Sequence, residues 1–223
     1  MNVLITGASR GIGYQTVKHF LKEGHNVMAI SRNLKSLQEL ENLGAKVMAF
    51  DLLNESYQPI VDQIKALSSV DILINNAGLL VNKAFSELSN QDLKRVYGVN
   101  VFSIIKLTRD LLPYFSKHAH IINISSVGGV QGSVKFAGLS AYSSSKGAVS
   151  ILTECLAEEF KESSMRFNAL ALGAVQTEML QEAFPGYEPP TTPAMMAEYL
   201  LDFALHRAHL FNGKIIEVSN STP

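Results

Sequence analysis

The sequence predicts an α/β fold, a single domain doubly wound around a mostly parallel sheet of about seven strands with helices on both faces. Three observations predict it. Seven short apolar or β-branched runs recur, at residues 3–5, 27–30, 47–50, 72–74, 120–124, 167–172 and 214–218. Most of the stretches between them carry helical periodicity, so the connections are crossovers and the strands lie parallel. The runs are continuous rather than alternating, as strands buried on both faces are. With 223 residues and 47% apolar content, the chain can close one sizeable core but not two, so residues 1–223 are expected to form one domain.

Taken in order, the first run leads straight into Thr6-Gly7-Ala8-Ser9-Arg10-Gly11-Ile12-Gly13, after which Val17, Phe20 and Leu21 mark the apolar face of a helix. A backbone that approaches a pyrophosphate in so tight a turn needs residues without side chains, and the helix N-terminus offers the anion free N–H groups and partial positive charge. Directly after the first strand of an alternating pattern, this turn is expected to hold a dinucleotide. The second run ends in Ser31-Arg32, without the acidic residue that would hold two ribose hydroxyls and repel a 2′-phosphate. Arg32, with Arg10 approaching from the other side, favours NADP over NAD, since a guanidinium pairs with phosphate in bidentate fashion. The plain alternative is that Arg32 is a solvated charge opening the next helix. The fourth run closes in Asn75-Asn76-Ala77-Gly78, small residues that let backbone and cofactor come close, although an ordinary turn favours the same types.

After the fifth run, Ser126 precedes Gly128-Gly129 and is expected at the carboxyl end of the sheet, where it can donate to a carbonyl oxygen; Ser125 competes for that role. Residues 140–160 read as a helix on which Tyr142 and Lys146, four apart, project from one face. An ammonium one turn from a phenol, whose ordinary pKa is roughly 10, stabilises the phenolate and makes the tyrosine usable as a proton donor.

Nineteen basic residues against twenty acidic ones give a net charge of −1, which offers no electrostatic footprint for nucleic acid or an anionic membrane. Partners are expected to be small molecules or another copy of the chain. No apolar run nears the roughly 18 residues of a membrane helix and no charged leader precedes the first strand, so a soluble, cytoplasmic protein is expected. Cys155, the single cysteine, reads as a packed thiol, and the six histidines form no metal-like cluster.

The glycine turn, Asn-Asn-Ala-Gly, Ser126, Tyr142 and Lys146, together with Asn100 in Tyr97-Gly98-Val99-Asn100, stand in the order of the short-chain dehydrogenase/reductase family, which the chain resembles over nearly its whole length. It looks most like the 3-oxoacyl-ACP reductases. The resemblance implies a Rossmann-type fold, Tyr142 as general acid/base, Lys146 as its tuner and ribose ligand, Ser126 as carbonyl donor, and Asn100 as anchor of a proton-relaying water. It also implies that Asp51, with Leu52, contacts the adenine, although a cap before Glu55 fits Asp51 equally well. Asn76, Ala77 and Gly78 would line the adenosine ribose. Val175 and Thr177 would meet the nicotinamide carboxamide, even though Leu172-Gly173 replaces the family's Pro-Gly pair.

Two segments depart from the family pattern: residues 127–141 are longer than common, and the loop at 178–193 is short. That loop holds Met179, Leu180, Phe184 and Tyr187, which suit a lid over a partly apolar substrate or ordinary packing. The implied activity is NADPH-dependent interconversion of a carbonyl and an alcohol, with 3-oxoacyl thioesters and small ketones among the substrates. A non-catalytic NADP-binding regulator and a sugar-nucleotide epimerase or dehydratase are the alternatives. The helices at 91–114 and 140–160 resemble those that pair across subunits, which implies a homodimer or homotetramer.

Overall fold

The computed structural model describes residues 1–220. Seven strands are β1 (Asn2–Thr6), β2 (Asn26–Ser31), β3 (Lys46–Ala49), β4 (Val70–Asn75), β5 (Phe115–Ser126), β6 (Arg166–Leu172) and β7 (Lys214–Val218). They form one sheet in the order β3-β2-β1-β4-β5-β6-β7, with all six pairings parallel. The helices are α1 (Gly11–Lys22), α2 (Gln38–Asn42), α3 (Gln58–Lys65), α4 (Asn90–Tyr97), α5 (Ser103–Leu111), α6 (Ser140–Glu159), α7 (Glu178–Ala183) and α8 (Pro193–Asp202).

The continuous apolar runs are explained by two cores, one on each face of the sheet. Val3 and Ile5 pack with Val17 and Phe20 of α1 and Leu200 of α8, whereas Leu4 between them faces Ile60 of α3, Leu107 of α5 and Ala157 of α6. Neither face of a central strand meets water, so alternation is lost. The winding reverses between β1 and β4, and there the connections leave on opposite faces and open a crevice at the carboxyl ends of the strands.

Three local readings need correction. Residues 91–114 form not one regular helix but α4 and α5 joined by a π-helical turn, Gly98–Phe102. The widened turn carries Asn100, and its side chain reaches out of the helix to the chain after β4. The loop expected at 178–193 contains α7, capped by the Thr177 hydroxyl, which accepts from Leu180 N at 3.2 Å. Cys155 is exposed rather than packed: it lies one turn from exposed Ile151 on the outward stripe of α6, while Thr153 and Ala157 face inward.

Candidate active site

The glycine turn is clamped to the end of β4. Thr6 Oγ1 accepts from Asn76 N and Ala77 N at 3.2 and 3.1 Å, and Asn76 Nδ2 donates to Thr6 O and Gly7 O at 3.0 and 3.1 Å. Gly7, at φ +68°, leaves no room for a side chain, since a Cβ there would lie 2.7 Å from Ala77 Cα; one at Gly13 would lie 2.4 Å from Gly7 O. These close approaches aim the start of α1 into the crevice. Thr6 was not singled out from the sequence, although its hydroxyl at a strand end beside Gly7 is the signal that could have found it.

Every position expected to touch the nucleotide lines one cleft of about 290 Å³, from Gly7, Ser9, Arg10, Gly11, Ile12 and Gly13 at one end to Val175 and Thr177 at the other. Arg32 follows β2 at the rim, and Asp51 and Leu52 line the wall beside Phe50. Asp51 also closes a turn by accepting from Leu53 N at 3.0 Å, which caps no helix. Asn76, Ala77 and Gly78 form the floor.

Ser126, Tyr142 and Lys146 line the same cleft. Lys146 is buried, and its Nζ donates to Ile124 O at 2.7 Å and lies 5.8 Å from the centre of the Tyr142 ring. Burial pushes the Lys146 ammonium down to about 8 and raises the Tyr142 phenol above its ordinary value, with the neighbouring Ser126 hydroxyl pulling the phenol the other way. Both serines line the cleft, and burial distinguishes them. Ser125 is buried, and its Oγ donates to Lys146 O at 2.9 Å and lies 3.2 Å from Ser150 Oγ, inside the packing of α6 on β5, while Ser126 is half-buried.

Asn100 stands behind this wall. Its Oδ1 accepts from Leu79 N at 2.7 Å, and its Nδ2 donates to Leu79 O at 3.0 Å and to Ser145 Oγ at 2.8 Å. It ties the chain beyond Gly78 to α6 beside Lys146 and is fully buried. Deeper in, Asn75 donates to Asn123, which donates to Thr153, both at 2.9 Å, so a buried chain of side chains sets the distance between β4, β5 and α6. Three segments cover the mouth of the cleft. Phe136 and Phe184 meet edge to face at 5.5 Å, and Asn82 Nδ2 donates to Ala183 O at 2.9 Å. Leu79, Leu139 and Met179 add apolar lining. Of these, only the residues of the 178–193 loop were anticipated. Phe136 was missed because its contact with Phe184 spans segments distant in sequence.

The donor set fits a nicotinamide dinucleotide. The cleft joins a helix N-terminus to an apolar slot, and among the described residues the hydrogen bond of Lys146 Nζ is to Ile124 O, which leaves ammonium donors for a ligand's hydroxyls. Among the same residues no group of three or more His, Cys, Asp or Glu is placed to hold a metal ion, and no helix is long and apolar enough to cross a membrane.

A Rossmann-type sheet with a glycine-rich turn at its switch point and a tyrosine and lysine on its far wall defines a nicotinamide-linked oxidoreductase. Residues 1–188 match the family model for short chain dehydrogenase, and the chain belongs to the short-chain dehydrogenase/reductase family. It is 34% identical over 190 residues to the 3-oxoacyl-[acyl-carrier-protein] reductase FabG of Thermotoga maritima, covering 80% of this chain and 76% of that one. A 4-hydroxyisoleucine dehydrogenase complexed with NADH superposes with a TM-score of 0.88 at 26% identity, covering 99% of this chain and 97% of the other. BdcA in complex with NADPH superposes at 0.85 with 25% identity, over 97% and 92%.

Proposed function

We propose that this protein is an NADPH-dependent carbonyl reductase, running as an alcohol dehydrogenase when cofactor ratios reverse it, with Tyr142 as the general acid/base. The observation that carries the reading is the convergence of Tyr142, Ser126 and Lys146 on the one cleft that also contains the glycine turn. When bound, the nicotinamide ring supplies the hydride. Ser126 donates to the substrate carbonyl and favours the charge that develops on its oxygen. Tyr142 gives its O–H proton to that oxygen, and the resulting phenolate is held by the Lys146 ammonium, which also takes ribose hydroxyls. Asn100 acts through its hold on Leu79 and Ser145, which keeps Lys146 and the chain after Gly78 in register for a proton-relaying water.

Cofactor preference follows from the rim. Ser31 and Arg32 replace an acid at the end of β2, and Arg10 lies across the cleft from them, which supports pairing with a 2′-phosphate. The apolar mouth around Leu139, Met179 and the Phe136–Phe184 pair supports a substrate with an apolar body, of the 3-oxoacyl or ketone class. One continuous sheet supports a single catalytic unit over residues 1–223. Phe102 of the π turn, Ile105 of α5 and Ile151 of α6 are exposed apolar side chains on the helices expected to pair, which supports assembly into a homodimer or homotetramer.

Tyr142→Phe tests the chemistry, because it removes the proton and keeps the ring. The expected result is a loss of about 10²- to 10⁴-fold in kcat for NADPH oxidation across a carbonyl panel, with NADPH still bound. Turnover at the wild-type rate would refute the mechanism. Titration of NADPH against NADH, read by nicotinamide fluorescence, tests the cofactor: equal affinities would remove the role given to Arg32.

A further inference from the structure

The short helix α7 stands over the glycine turn and presents two carboxylates one turn apart, Glu178 and Glu182. Glu182 reaches Arg10, with Oε1 3.5 Å from Nη1. Glu178 reaches the first residue of α1: a side-chain carbon at Gly11 would lie 3.8 Å from Glu178 Oε2. The first turn of α1 contains no acidic residue of its own, and the Glu178 carboxylate lies beside its first residue, near the partial positive charge of the helix end. The arm is held in this place by the Thr177 cap, by Asn82 on Ala183 O, and by Phe136 against Phe184. Glu178 lines the cleft itself, and Glu182 lines the open groove that continues from it past Arg10.

The reading above places a pyrophosphate at the start of α1 and a 2′-phosphate beside Arg10, so α7 puts one carboxylate at each of the two phosphate positions. We propose that Glu182 and Glu178 are specificity-determining residues for the cofactor: Glu182 engages the guanidinium that a 2′-phosphate needs and thereby narrows the preference for NADPH over NADH, while Glu178 opposes both dinucleotides alike. This inference rests on the dinucleotide reading of the cleft. The two carboxylates act at different phosphates, so their effects separate. NADH has no group for Arg10 and is indifferent to Glu182, whereas both cofactors bring a pyrophosphate to the start of α1.

The Arg10 and Glu182 side chains are 53% and 68% exposed, so the exchange is modest. An exposed pair of this kind corresponds to a change of roughly two- to fivefold in affinity, largest at low ionic strength. The test is a titration of NADPH and NADH, read by nicotinamide fluorescence, on the wild type, Glu182→Gln, Glu178→Gln, Arg10→Met and the Arg10→Met/Glu182→Gln double variant. Glu182→Gln is expected to tighten NADPH about two- to fivefold and leave NADH unchanged, with the gain absent in the Arg10→Met background and reduced at high salt. Glu178→Gln is expected to tighten both cofactors by the same factor. If Arg10→Met weakens NADPH while Glu182→Gln leaves the NADPH-to-NADH ratio as it was, the inference is overturned and the cofactor reading stands. If Arg10→Met has no effect on NADPH, the placement of the 2′-phosphate on Arg10 falls and the inference falls with it.

Discussion

Acid should destabilise this protein through one histidine midway along β5, outside the catalytic cleft. His120 on β5 is 3% exposed, tilted against Phe203 at 5.4 Å, with Nε2 3.0 Å from Asn168 Nδ2. Asn168 cannot turn its amide to suit a protonated ring. Its Oδ1 accepts from Lys214 N at 3.1 Å and its Nδ2 also donates to Phe211 O at 3.1 Å, so Nε2 must accept and the ring must be neutral. Burial pushes His120 from 6.5 to about 4; the Ala204 carbonyl resists the shift and the Arg166 charge adds to it. Because the folded value lies below the unfolded one, the stabilisation is complete above pH 6.5 and is lost as the pH falls from 6.5 toward 4. At about 1.36 kcal/mol per unit, lowering the pH to about 5 removes roughly 2 kcal/mol of unfolding free energy. Urea unfolding at about pH 7 and pH 5 measures it, with His120→Gln as reference, since the glutamine amide oxygen accepts near the place of Nε2 and does not titrate. Equal losses of stability in the wild type and His120→Gln would refute the assignment to His120.

Two further outcomes follow from the site. Ser126→Ala is expected to lower kcat about 10²- to 10³-fold with little change in stability, whereas Ser125→Ala should cost about 1–3 kcal/mol in urea unfolding and leave kcat within a few fold; the opposite pattern would exchange the two roles. Gly13→Ala forces a Cβ to within 2.4 Å of Gly7 O and Asn76 Nδ2, so the turn must open. A destabilisation of about 1–3 kcal/mol and loss of NADPH binding are expected, and an unchanged urea midpoint would show that the turn is not packed as described.

The sheet, its parallel sense and its two covered faces were legible from the chain alone, because strands such as residues 3–5 are buried on both sides and their apolar runs are unbroken. The glycine turn and the pairing of Tyr142 with Lys146 were legible for the same kind of reason: both are local, one fixed by backbone sterics and the other by the period of a helix. What the chain alone left open involves partners distant in sequence. Which of Ser125 and Ser126 has its hydroxyl taken up by α6 depends on how that helix lies on β5, and Asn100 owes its contact with Leu79 to a π turn that leaves no mark in the apolar pattern. Cys155 lies outside because of the direction in which α6 docks, and Phe136 meets Phe184 only when two loops converge over the cleft. Periodicity records which residues share a face of their own element; which neighbour that face meets is settled by the packing of the whole chain.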